Sequence, residues 1–326
     1  MEDKKRGGTL KIKRNREKYH RPREKRESKM IPQEKDSANS EESLFLERMR
    51  ATWAREAEFW RKWYPLAKRR TREATELLIK TAGIKEGAPV TILDLASGAG
   101  DPALSIARLV APRGRVVATD LVPEMLRFAA ENAMNEGIVN ISFQEAAADS
   151  LPFPENYFDF ATSRFGVMFF PNPVRALEEI KRVLKPGGRS ALMSWGPKEN
   201  NEYWRATIGV IIKKGIKLPS QHTGAPDPYR FSKAGDLWKL LENAGYSRVE
   251  EEDRVVNLVW EGTLEEAWEN FLDTWRPMGA FDSIPEKKMH EIKEDCIREL
   301  SKFRNSDGAI VTKAPIIIGR GEKLPP

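Results

Sequence analysis

Three aspartates stand behind short apolar runs: Asp94 in LDLASGAGDPA, Asp120 in RVVATDLVPEML and Asp149 in AAADSLPF. Gly98, Gly100 and Ala103 follow the first of them with the spacing of a G-x-G-x-x-G/A turn. Glycine at these positions lets the backbone turn tightly and come close to a ligand. A helix starting near Asp101 would aim its free N–H groups and positive dipole end at that ligand, and Pro102 is tolerated in a first turn. Such a loop suits a pyrophosphate, and it suits the carboxylate of an amino acid equally well. Asp120, twenty residues after Gly100, can accept hydrogen bonds from both hydroxyls of a ribose. Asp149, 29 residues further on, can accept one from an adenine amino group, although an aspartate there also serves as a turn residue. The ligand these acids imply carries an adenosine, and their spacing leaves NAD and S-adenosylmethionine (SAM) both open.

The elements that must position these residues alternate. VTILDLA, GRVVATD, ISFQEA, YFDFATSR and GRSALMSW read as strands, separated by the helical patterns DPALSIARLVA, VPEMLRFAAENAMNEG and PVRALEEIKRVLK. Alternation of this kind predicts a parallel sheet with helices on both faces and ligands bound beyond the carboxyl ends of its strands. Upstream, Trp53, Ala57, Trp60 and Tyr64 recur at helical spacing, which puts an aromatic stripe on one face of a helix, to pack on the core or to cover a ligand. Downstream come the helix KAGDLWKLLENAG, the strand SRVEEEDRVVNLVW, two helical patterns at about 263–304 that read as an inserted cap, and the final strand AIVTKAPIIIG. The domain reading is a disordered basic tail over 1–42, N-terminal helices over 43–89 that cover the site, and a catalytic domain over 90–326.

Charge separates the tail from the body. Residues 1–30 hold 13 Lys/Arg against 5 Asp/Glu, and the remaining 296 hold 42 against 44. The tail could touch nucleic acid or an anionic surface through counterion release, or simply be solvated. The body lacks a basic excess. No run of about 18 apolar residues marks a spanning helix, and one cysteine, Cys296, with three scattered histidines gives no zinc spacing and fits a reducing cytoplasm.

Taken in order, LDLASGAGD, VVATDLVPEML, ADSLPFPENYFD and SRFGVMFFPNPVRALEEIKRVLKPGG resemble the class I SAM-dependent methyltransferases, and within them the branch of ubiquinone/menaquinone-biosynthesis C-methyltransferases, also called methyltransferase type 11. The resemblance covers about residues 90–250. It implies a Rossmann-like, doubly wound seven-stranded α/β sheet whose last strand is antiparallel. It also implies that Asp94, Ala96, Ser97, Gly98 and Gly100 surround the methionine part of SAM and that Asp120 binds its ribose. Leu121 and Met125 would flank the adenine, Ala148, Asp149 and Ser150 would hold its edge, and Arg164 with Phe165 would face the reacting methyl group. The acceptor expected is a small apolar or aromatic molecule, a quinone-like one included. His222 and Tyr229 are the candidates for a general base. Two other activities stand beside this one: an RNA methyltransferase using the tail, and an NAD-dependent oxidoreductase, which leaves Asp149 and LKPGG unexplained.

Overall fold

The computed structural model describes residues 34–218, 226–276 and 279–325. Residues 1–33 of the basic tail and His222 lie outside them. By its internal contacts the chain divides into Met1–Ser40 and Glu41–Pro326, and the site described below belongs to the second unit.

Helix α1 (Glu34–Arg70) is followed by α2 (Arg72–Ala82). The helix begins inside the stretch expected to be disordered as far as residue 42. Strand and helix then alternate through β1 (Thr91–Leu95), α3 (Ala103–Val110), β2 (Arg115–Asp120), α4 (Pro123–Asn135) and β3 (Ile141–Glu145). The series continues with β4 (Phe158–Arg164), α5 (Pro173–Val183) and β5 (Leu184–Trp195). Two short helices, α6 (Glu202–Ala206) and α7 (Ile208–Lys213), and then α8 (Asp236–Asn243) lead into β6 (Ser247–Trp260). The pair α9 (Leu264–Trp275) and α10 (Glu286–Ser301) separates β6 from β7 (Ile310–Glu322).

All seven strands form one sheet in the order β3-β2-β1-β4-β5-β7-β6. The first five run parallel, and β7 lies antiparallel between β5 and β6. The alternation predicted the parallel part with its flanking helices, and the whole is the Rossmann-like sheet with an antiparallel last strand that the resemblance implied. Its order reverses between β1 and β4, and a crevice opens at the carboxyl ends of strands flanking such a point.

Two cores cover the sheet because successive side chains of a strand point to opposite faces. Leu93, Leu192 and Ile317 go to the face packed by α5 and α8. Their neighbours Ile92, Met193, Ile316 and Ile318 go to the face packed by α2 and α3. The stripe on α1 does two things at once. Ala57 and Tyr64 bury against Leu104, Val122, Met125 and Phe128 of the α3 and α4 region, whereas Trp53 and Trp60 are only partly covered. Trp63, on the adjoining face, packs on Trp260 at the end of β6. Its indole Nε1 donates to Asp273 of α9 at 3.0 Å, and Lys62 donates to the same carboxylate at 2.6 Å.

Candidate functional site

The crevice at the strand ends widens into a cavity of about 440 Å³, a size usual for small-molecule sites. The loop after β1 forms its floor, and local hydrogen bonds hold that loop. Ser97 N–H donates to the Thr119 carbonyl at 3.0 Å, Gly98 N–H to Asp120 Oδ2 at 2.8 Å, and Asn132 Nδ2 of α4 to the Ala99 carbonyl at 2.9 Å. The two glycines differ in what they do. Gly98, at φ +53°, would aim a Cβ into open space. A Cβ on Gly100, at φ +120°, would meet Leu104 Cδ1 at 2.9 Å, so Gly100 answers to the turn and to helix packing, and it is not part of the cavity wall. Ala96 also takes a positive φ, 52°, a conformation that non-glycine residues hold only where their surroundings enforce it.

Asp94 lies wholly buried beneath this loop. Its Oδ1 accepts from Thr162 Oγ1 at 2.6 Å, and its Oδ2 has no hydrogen-bond partner. Burial pushes this carboxyl up to about 7 against the bond from Thr162 and the charge of Arg164. Asp120, at the end of β2, accepts Val122 N–H on Oδ1 at 3.0 Å besides Gly98 N–H on Oδ2. Burial raises its pKa, and these backbone donors oppose the shift.

Among the residues expected to act, Ala96, Ser97, Gly98, Asp120, Leu121, Met125, Ala148, Arg164 and Tyr229 meet at the cavity wall. Asp94, Gly100, Asp149 and Ser150 do not reach it: Asp149 is buried and Ser150 exposed in the turn after β3. The guanidinium of Arg164 is committed elsewhere than to a reacting group. It bonds Thr75 Oγ1, gives Nη1 to Asp101 Oδ2 at 2.5 Å and Nη2 to the Asp101 carbonyl at 3.0 Å. Asp101 for its part precedes the helix, which starts only at Ala103. Burial pushes the Tyr229 phenol up to about 12, with Asp227 adding to the shift. Near neutral pH this hydroxyl keeps its proton and suits a hydrogen-bond donor better than a base.

The rest of the wall is aromatic to a degree that the spacing did not reveal. Seven of the nine tryptophans line it: Trp53, Trp60, Trp63, Trp195, Trp204, Trp260 and Trp275. Phe165 stacks on Trp195 with ring centres 3.7 Å apart, and Trp53 meets Phe169 edge-on at 4.8 Å. These rings come from both ends of the chain, so no local pattern could have grouped them.

Residues 69–207 match the ubiE/COQ5 methyltransferase family. Over 181 residues the chain is 32% identical to the ubiquinone/menaquinone biosynthesis C-methyltransferase UbiE of Shewanella pealeana, across 52% of this chain and 71% of that one. The chain belongs to the ubiE/COQ5 methyltransferase family. A second relative, UbiE of Yersinia enterocolitica, is 42% identical over 118 residues, which cover 36% of this chain and 46% of that protein. Among solved structures, a SAM-dependent methyltransferase from Aquifex aeolicus is 27% identical with a TM-score of 0.44, across 59% of this chain and 87% of that one. A chain from the complex of the Haloferax volcanii Trm112 methyltransferase activator with a methyltransferase reaches a TM-score of 0.50 at 18% identity, across 85% and 98%. As a ubiE/COQ5 family member the protein is a SAM-dependent methyltransferase, which decides between the two adenosine ligands that the acids left open. Its residues fit that donor: Gly98, facing open space, and the strand-end carboxylate of Asp120 border one end of the cavity, and the orphaned carboxylate oxygen of Asp94 lies buried beneath the loop that carries Gly98.

Proposed function

We propose that the cavity holds SAM at its strand-end side and a small apolar or aromatic acceptor under α1 and α9, and that methyl transfer runs between them. The observation that carries this reading is the gathering of seven tryptophans around the same space that Gly98 and Asp120 border. Bound SAM supplies a methyl group already activated by its positive sulfur. Asp120, held by two backbone N–H groups, offers its remaining lone pairs to the ribose hydroxyls. Ala96, Ser97 and Gly98 follow the methionine part, with Asp94 Oδ2 beneath and Gly100 fixing the turn. Leu121 and Met125 flank the adenine, and Ala148 borders its edge, with Asp149 and Ser150 shaping the turn behind. The aromatic wall keeps water out and orients an acceptor ring for in-line attack. Tyr229 donates its hydroxyl proton to an acceptor oxygen as a hydrogen bond. Two relatives are named for ubiquinone/menaquinone biosynthesis and C-methylation, and an electron-rich, quinol-like ring is the acceptor class such a wall accommodates.

Calorimetric titration with S-adenosylhomocysteine tests the donor half. Asp120→Asn loses charge-assisted hydrogen bonds of about 1.5–3 kcal/mol, so binding weakens roughly 10- to 100-fold. Unchanged affinity would sink the assignment of Asp120. The acceptor half is tested with methyl-labelled SAM offered alongside quinol, phenol and RNA pools: label found in RNA alone would overturn it.

A further inference from the structure

Helix α1 ends in three consecutive cations whose fates differ. Lys68 pairs with Glu136 at 2.6 Å and Arg69 with Glu261 at 2.7 Å. Arg70 turns into the cavity instead. There its guanidinium carbon sits 4.1 Å from the ring centre of Tyr203, on α6, and no carboxylate among the described residues forms an ion pair with it. Tyr203 also borders the cavity, and its buried hydroxyl has no hydrogen-bond partner besides the neighbouring Arg70 guanidinium, which works against the rise in its pKa from burial. Tyr229 stands near enough for Arg70 to act on it electrostatically.

A guanidinium stacked on a ring keeps its N–H edges free in its own plane, the arrangement that grips a carboxylate or other acidic oxygen with two parallel bonds. Arg70 is partly buried, and although Glu56, Asp101 and Asp120 share the cavity wall, none of them pairs with it, so a ligand anion can take that place. We propose that Arg70 and Tyr203 form an anion-recognising pole of the acceptor chamber, so that the acceptor is an aromatic or apolar molecule bearing an acidic oxygen, a carboxylate or a phenolate. The inference rests on the chamber being the acceptor site and adds the group by which acceptors are chosen. Arg70 is a specificity-determining residue here, with its fork toward the acceptor and its flat face on Tyr203.

The test measures quenching of tryptophan fluorescence in the full-length protein, saturated with S-adenosylhomocysteine, by three matched probes: 2-naphthoate, 2-naphthol and 2-methoxynaphthalene. Naphthoate is expected to bind roughly 10- to 100-fold more tightly than the methyl ether, the span of one or two charge-assisted hydrogen bonds. Arg70→Met should remove that preference while leaving the ether's affinity and the binding of S-adenosylhomocysteine in place, which shows that the variant is folded. Arg70→Lys should recover part of it, because a point charge lacks the planar fork. If naphthol gains affinity as the pH is raised and it ionises, the phenolate arm holds; if only naphthoate is preferred, the carboxylate arm does. Equal affinity for naphthoate and ether in the wild type, or a preference that survives Arg70→Met, overturns the role of Arg70. Failure of all three probes to bind overturns the acceptor chamber itself, and the pole with it.

Discussion

Arg164→Met removes one half of the most buried ion pair at the site, and its consequence can be worked out from the contacts. The Asp101 and Arg164 side chains are 4% and 11% exposed. Without the guanidinium, Asp101 keeps hydroxyl donors from Thr75 at 3.0 Å and Ser105 at 2.5 Å but loses its only countercharge among the bonds described. Breaking a buried pair from one side costs about 3–5 kcal/mol, and the two surviving hydroxyls argue for about 3. In a domain of this size class each kcal/mol lowers the melting temperature by roughly 2–4 °C, so a fall of about 6–12 °C is expected in calorimetric melting. The double variant Arg164→Met/Asp101→Asn removes the stranded charge and should recover about half of that loss. The reasoning fails if the single variant melts within about 2 °C of the wild type, or if the double variant is less stable than either single one. Either result would leave Arg164, the last residue of β4, free to turn toward the reacting group, as the resemblance implied.

Two further outcomes are expected. Asp94 holds its proton in the folded chain up to about pH 7 but releases it near 3.8 when unfolded, so its contribution to stability falls as pH rises through that window. Asp94→Asn keeps an acceptor for Thr162 and should therefore melt several degrees higher than the donor-free wild type near pH 8, the gap closing toward pH 4; a gap independent of pH would count against it. Gly166→Ala has a compatible φ of −100°, yet its Cβ would fall 2.6 Å from both Ala96 Cβ and Ser163 Oγ. Overpacking of this kind costs about 1–3 kcal/mol, to be read from the urea midpoint, and the displaced Ala96 loop should bind S-adenosylhomocysteine more weakly.

The sheet was legible because each strand announces itself locally, as a short apolar run closed by an acid or a glycine turn. TILDL and RVVATD needed no knowledge of their neighbours. The residues proposed to hold the donor could be picked out for the same reason, since Gly98 and Asp120 stand at fixed distances from strand ends. The aromatic wall proposed to face the acceptor could not. Trp63, Tyr203, Trp260 and Trp275 meet only after α1 and α9 have docked, and nothing in their local surroundings distinguishes a wall tryptophan from Trp268, which packs among α7, α9 and α10. Arg70 reads as an ordinary basic residue at a helix C-terminus, and its partner on α6 lies in the segment where no helix was expected. Arg164 stands at the strand end where it was expected, but the direction of its guanidinium depends on Asp101 and Thr75, 63 and 89 residues earlier in the chain.

The bond between Trp63 and Asp273 joins residues 210 positions apart. During synthesis at about 5–20 residues per second, the aromatic face of α1 therefore waits roughly 10–40 s for the segment that will cover it. Through that interval the nascent chain displays tryptophans that later line the cavity. The same rings that line the cavity of the finished protein make the half-made one sticky, so its yield in cells should depend on how quickly the message between these two residues is read.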